Sequence, residues 1–261
     1  MWSQPDNSPA PRRFTRGHQA GGVRGLVLLG VLAFLSFCVA FAPARLLAPL
    51  AERIDGAALT GTAGTVWSGS GRLLFEGRDR GHLSWSFRPE TLLKLFPGFD
   101  WTLAAEHLDL GGRVNLAPGR AALSMGGSVD AAAINPWLAA YELSLGGSFE
   151  VRDLYLQIAG ARPDNTRGGI AWSGGRVQYV LSQRSMTANL PPLEARLTFA
   201  EGPEAVVVAE GDSTPLLEAQ LLDSGFARIG VTMLLTRMLG QPWPGGGPDD
   251  KVVLAVEEKI L

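Results

Sequence analysis

Cysteine is almost missing from this chain: Cys38 is the single one in 261 residues. One cysteine excludes an internal disulfide framework, and a body without cysteine folds in any redox environment. Histidine is nearly as scarce. His18, His82 and His107 are the three present, and none has a second histidine or a cysteine at metal-ligand spacing, so no metal site can be drawn. Charged residues make up 18%, the formal net charge is -2, and no long basic run occurs, which argues against a nucleic-acid partner.

The signatures of catalysis are missing too. Gly69-Ser70-Gly71 lacks the lysine of a phosphate loop, and Leu74 stands where a dinucleotide fingerprint has its third glycine. Ala171-Trp172-Ser173-Gly174-Gly175 has the outline of a nucleophile elbow, with alanine for the first glycine. No histidine follows Ser173 and no helical pattern follows Gly175, while Ser68 is preceded by Val66 in the corresponding place. These serines read as small turn residues. Glu201, Glu204, Glu210 and Asp212 gather near strand ends as solvated loop charges do. The expectation is a protein that is not an enzyme, with no catalytic residue, no cofactor and no small-molecule substrate.

Apolar residues are plentiful, at 46%, and 33 glycines and 17 prolines punctuate them. Short apolar runs between turn formers are the composition of an all-β chain. Period-2 alternation agrees. Leu193, Ala195, Leu197 and Phe199 alternate with Glu194, Arg196 and Thr198, and Leu83, Trp85 and Phe87 alternate with Ser84, Ser86 and Arg88. Phe149 and Val151 alternate with Glu150 and Arg152, after which Leu154, Leu156 and Ile158 resume one residue out of phase. That slip predicts a β-bulge near Asp153. Helical signals are few: Pro89 to Phe96, a turn or two at 135–141 with Asn135 as cap, and an apolar face from Phe226 to Met238. The last stretch fits equally a strand followed by a short helix.

The N-terminus differs from the rest. Residues 1–22, rich in Pro, Gly, Ser and Arg, read as a disordered tail. Val23 to Ala42 has Arg24 as its only charge, and twenty residues at the helical rise span about 30 Å, the thickness of a bilayer core. Arg12, Arg13, Arg16 and Arg24 lie on one side, against Arg45 and Arg53 among Glu52 and Asp55 on the other. The positive-inside rule then puts the tail in the cytoplasm and the body across the membrane. Ala40-Phe41-Ala42 has the form of a cleavage site, but Pro43 follows it and the run is long for a signal core. The expected organisation is a tail at 1–22, an uncleaved transmembrane anchor at 23–43, and a β-rich domain at 44–261.

Within that domain one phrase occurs twice. Gly64-Thr65-Val66-Trp67-Ser68-Gly69 and Gly169-Ile170-Ala171-Trp172-Ser173-Gly174 share the skeleton Gly-x-x-Trp-Ser-Gly. Glycine beside a large aromatic inside a strand pattern marks a bend with a core contact. The repetition suggests a twisted antiparallel fold of two related halves, about 55–140 and 141–257, in which Trp67 and Trp172 pin equivalent bends.

Behind an apolar N-terminal segment, these phrases carry a resemblance. With Leu83-Ser84-Trp85-Ser86-Phe87-Arg88-Pro89, Leu92-Leu93 and Leu145-Gly146-Gly147-Ser148-Phe149, the chain resembles the type II secretion system protein N family of Gram-negative bacteria. The resemblance implies an accessory inner-membrane component that assists export of folded proteins from periplasm to exterior. Its partners would be other inner-membrane components of that machine, its localisation a single-pass inner-membrane one, and it transfers no catalytic residue. Its motif residues here are Gly64, Thr65, Trp67, Ser68, Gly69, Trp85, Pro89, Gly169, Trp172, Ser173 and Gly174. The alternative is a lipid-handling β-groove like the AsmA-like bridge proteins, with lipid as the partner.

Overall fold

The computed structural model describes residues 20–259 apart from 95, 161, 182 and 223, with the side chains of 20–24 and 92–94 outside the description. The tail expected at 1–22 therefore lies outside it up to residue 19, as does His18. Contacts divide the chain into one unit ending at Ala42 and a second beginning at Pro43.

The first unit contains helix α1 (Ala20–Ala40). From Gly25 to Ala40 it carries no charge, and Leu28, Leu29, Phe34 and Phe37, on different faces of the helix, are all exposed. A helix apolar all round has no polar face to turn to water. Among the described residues no helix is long and apolar enough to cross a membrane.

The second unit is mainly antiparallel β structure with a few short helices. A 3-10 turn (Ala44–Leu47) and α2 (Ala48–Ala51) lead into β1 (Ala57–Gly64), β2 (Ser68–Phe75) and β3 (Arg78–Phe87). The segment expected to be helical after Pro89 is a 3-10 turn (Pro89–Lys94), followed by β4 (Gly98–Ala105), β5 (Leu108–Ala117) and β6 (Arg120–Asp130). Helix α3 (Ala131–Leu138) starts four residues before the cap expected of Asn135. Asp130 caps it instead, accepting from the Ala132 N–H at 2.9 Å. The Asn135 amide bonds both the N–H and the C=O of Leu145, at 2.9 Å each, and so fixes β7 (Leu143–Leu145).

The later strands are β8 (Ser148–Ala159), β9 (Arg162–Trp172), β10 (Gly175–Leu181), β11 (Arg184–Leu190), β12 (Leu193–Phe199), β13 (Pro203–Ala209), β14 (Pro215–Leu221) and β15 (Phe226–Thr232). The expected bulge is present: Asp153 has φ 46°, and the register slips between Arg152 and Tyr155. Of the two readings of 226–238 the second is found, since α4 (Met233–Met238) follows β15 and β16 (Val252–Lys259) closes the chain.

Thirteen strands form one sheet in the order β1-β2-β3-β4-β5-β6-β8-β9-β12-β13-β14-β15-β16, while β11-β10-β7 form a second. Where the two expected halves meet, β6 and β8 pair directly within the large sheet. Between β9 and β12 the chain leaves the large sheet, builds the β10–β11 hairpin, and returns to pair with β9.

Alternation sorts the two faces. Val129, Phe149, Trp172, Leu193 and Ala209 stand opposite one another on successive strands and form an apolar row across the sheet. The small sheet and α4 cover part of that face, where Trp172, Val177, Leu190, Leu216 and Leu235 make the main core. A smaller core of Ala44, Leu59 and Trp85 lies under α2 and the turn before it. Glu150, Arg152, Glu194 and Arg196 form a chain of exposed ion pairs across β8 and β12; exposed pairs of this kind contribute little to stability.

Leu216 is 1% exposed. Leu216→Ala should cost about 2–5 kcal/mol through the cavity it leaves, seen as a lower urea midpoint with an unchanged slope.

Candidate functional site

The two phrases form two different corners. Gly64 ends β1 and Ser68 begins β2, so Thr65-Val66-Trp67 is a three-residue hairpin loop. The Thr65 hydroxyl accepts from the Trp67 N–H at 3.3 Å and the Ser68 N–H at 3.1 Å, the local bond by which threonine stabilises a turn. Trp67 is half-buried and meets Phe87 edge-on at 5.2 Å, and Phe87 in turn meets Phe99 at 5.5 Å.

The buried indole of this corner belongs to Trp85. It is 9% exposed, lies opposite Gly69 in the ladder, and donates its Nε1–H to the Thr65 carbonyl at 3.2 Å. A Cβ at position 69 would come within 2.8 Å of the Trp85 ring and 2.5 Å of the Ala63 carbonyl. Gly69 is thus a slot for the tryptophan of the next strand. Pro89 opens the 3-10 turn beyond β3, and the buried Thr91 lies within it. Its hydroxyl donates to the Arg88 carbonyl at 2.6 Å and accepts from the Gly98 N–H at 2.9 Å.

At the second corner Gly169 lies within β9, Trp172 ends it, and Ser173-Gly174 turns the chain into the small sheet. Trp172, 6% exposed, donates its Nε1–H to the Gly146 carbonyl at 2.8 Å and stacks on Phe149 with ring centroids 6.2 Å apart. The Ser173 hydroxyl accepts from the Ser148 N–H at 3.0 Å and donates to the Gly174 carbonyl at 3.3 Å. The shallow cleft around it presents Glu150, Glu194 and Glu210 and no histidine. Gly174 is buried against Pro191.

The equivalence of Trp67 and Trp172 inferred from the repeat is therefore replaced by one between Trp85 and Trp172. Each of those two buries its ring and donates its indole N–H to a backbone carbonyl beside a glycine. Thr91 is a part of these corners that sequence reasoning missed, while Gly146 and Gly147 belong to the 145–149 phrase it named. The signal for Trp85 was available, since it is the deepest apolar position of the Leu83-Trp85-Phe87 alternation. His82 and His107 are both exposed and lie apart from either corner, on the lining of one cavity beneath α3. Among the described residues no group of three metal-ligating side chains comes together.

Two exposed carboxyls have shifted titration. The Glu90 carboxyl is held below its usual range by its own backbone N–H first and by Arg88 next. That of Asp212 is lowered by the N–H groups of Thr214 and Ser213. Both are turn contacts.

A model of the type II secretion system protein N matches residues 55–225, from the turn before β1 to the turn before β15. This chain belongs to the type II secretion system protein N family. Both corners fall inside the match, and so does the pairing that fuses β6 to β8. No curated protein and no solved structure matches the chain. Membership associates the protein with type II secretion, with the other components of that machinery, and with the cell envelope in which it works.

Trp172→Ala should destabilise the fold by about 3–5 kcal/mol, as large-to-small core changes do, whereas Trp67→Ala should cost about 1 kcal/mol, nearer the average substitution. Parallel chemical denaturation of the two variants checks the ranking. Gly69→Ala should behave like overpacking, with a loss of about 1–3 kcal/mol, and a melting temperature equal to that of the unmodified protein would contradict the slot.

Proposed function

We propose that this protein is an inner-membrane-anchored accessory component of type II secretion that assists export of folded proteins through protein–protein contacts and performs no catalysis itself. The observation that carries the reading is the join between two unlike parts. A β body assigned to a type II secretion family follows a helix without charge from Gly25 to Ala40 whose large side chains are exposed on every face. An apolar helix of that kind finds its partner in lipid or in other apolar helices.

Orientation follows from charge. Arg12, Arg13, Arg16 and Arg24 flank the segment on the N-terminal side, and the other flank mixes Arg45 and Arg53 with Glu52 and Asp55. The N-terminus is then cytoplasmic and the β body periplasmic. The body supports contact rather than chemistry: its two buried tryptophans and Ser173 are committed to internal hydrogen bonds. The partners in this reading are other inner-membrane subunits of the machine.

Two measurements test it. Protease added to intact spheroplasts should digest the β body while sparing a tag fused before Arg12; protection of the body would reverse the topology. Deleting the gene should lower secretion of pathway substrates, and a strain that secretes them at the normal rate would refute the accessory role.

A further inference from the structure

Under α3 the large sheet leaves part of its apolar face uncovered, and there a cavity of about 920 Å³ opens between helix and strands. Its walls are Leu73, Leu103, Leu108, Leu110, Val129 and Ile134. Its rim is polar, with His82, Glu106 and His107 all exposed. One charged side chain is out of place in it. Arg80 lines the cavity, and its Nε and Nη2 are buried with no hydrogen-bond partner. Arg72 and Asp79, which also line the cavity, satisfy each other at 3.0 Å, and Asp79 also accepts from the Gly81 N–H. The contact made by the Arg80 cation is the Trp137 ring of α3, 4.3 Å from the guanidinium carbon.

The backbone puts Arg80 there deliberately. Leu73 pairs with Gly81 and Leu74 with Asp79, so Arg80 is the extra residue of a β-bulge, the device that re-aims a side chain. Gly81 holds φ 123°, and a Cβ on it would lie 2.5 Å from the Ala104 carbonyl. The bulge thus depends on glycine at 81. Buried guanidinium donors left without partners are unfavourable unless something answers them.

We infer that this cavity binds a single-chain amphiphile with a carboxylate head, the head answering Arg80 and the alkyl chain lying along Leu103, Leu110 and Val129. Nε and Nη2 form one edge of the guanidinium, a two-donor fork that matches the two oxygens of a carboxylate. The apolar walls match an alkyl chain, and the volume lies in the range of small-molecule sites. A peptide fits less well. Strands β3, β4 and β5 on the cavity floor are hydrogen-bonded on both sides, so an incoming main chain would find no ladder for its N–H and C=O groups. An alkyl chain brings no such groups. The site stands apart from both tryptophan corners and does not depend on the role proposed in secretion.

The test uses the full-length protein purified in digitonin, a detergent without an alkyl chain, and titrates dansyl-undecanoate against its methyl ester by energy transfer from tryptophan. The acid should bind saturably and about tenfold tighter than the ester, the scale of one charge-assisted contact. Arg80→Gln should erase that preference by weakening the acid alone, Arg80→Lys should restore part of it, and Ala133→Trp, which fills the cavity, should abolish binding of both probes. Melting temperatures establish that each variant is folded. Equal affinity for acid and ester, an unchanged preference in Arg80→Gln, or absence of saturable binding would overturn the inference. So would displacement of the probe by an apolar peptide with a free C-terminus but not by laurate.

Discussion

The hydrogen bond from the Trp172 indole to the Gly146 carbonyl, 2.8 Å long, fixes how the β body is assembled. Trp172 is the last residue of β9 in the large sheet, and Gly146 follows β7 in the small one. Their contact brings the two sheets together at the point where the chain crosses from one to the other. Buried aromatics with a polar tip serve this purpose well, because the ring supplies apolar area and the N–H supplies direction. Tyr179 repeats the device from the middle strand of the small sheet, its hydroxyl donating to the Leu239 carbonyl at 2.9 Å just beyond α4. The main core fills the space that these two polar tips define.

Glycine and tryptophan are paired throughout the first half of the sheet. Gly69, Trp85, Trp101, Gly112 and Met125 stand opposite one another on five successive strands. Wide rings next to positions without side chains keep the layer even in thickness, so helices can lie close to it. Farther along the sheet, the opposite face carries the Arg and Glu pairs across β8 and β12. Apolar cover on one side and solvated charge on the other is the division expected of an antiparallel sheet.

Much of this could be read from residues alone, and the failures share a cause. Period-2 alternation located the strands, and one phase error located the bulge at Asp153, because both are local consequences of side-chain direction. The helix before Asn135 was misplaced because Asn135 bonds to β7 instead of capping, a choice made by a strand ten residues away. Trp67 was given the part of Trp85 because a repeated phrase shows spelling and not depth: the hairpin loop that holds Trp67 is tied by Thr65, while the slot at Gly69 receives its ring from the following strand. Arg80 could not be seen at all. In sequence it is one of several charges around a turn, and only the register of β2 against β3 makes it the extra residue facing a cavity.

The order of the large sheet bears on how the chain acquires it. Nearly every strand lies beside its predecessor, so β1 through β6 can form as successive hairpins while later residues are still being synthesised, each loop closure being short and entropically mild. The exception is the excursion through β10 and β11. There β7 must wait for β10, thirty-odd residues onward, and β9 must wait for β12. Until they arrive, the apolar row through Phe149 and Trp172 has no cover, and that interval is when the nascent molecule is most exposed to misassembly.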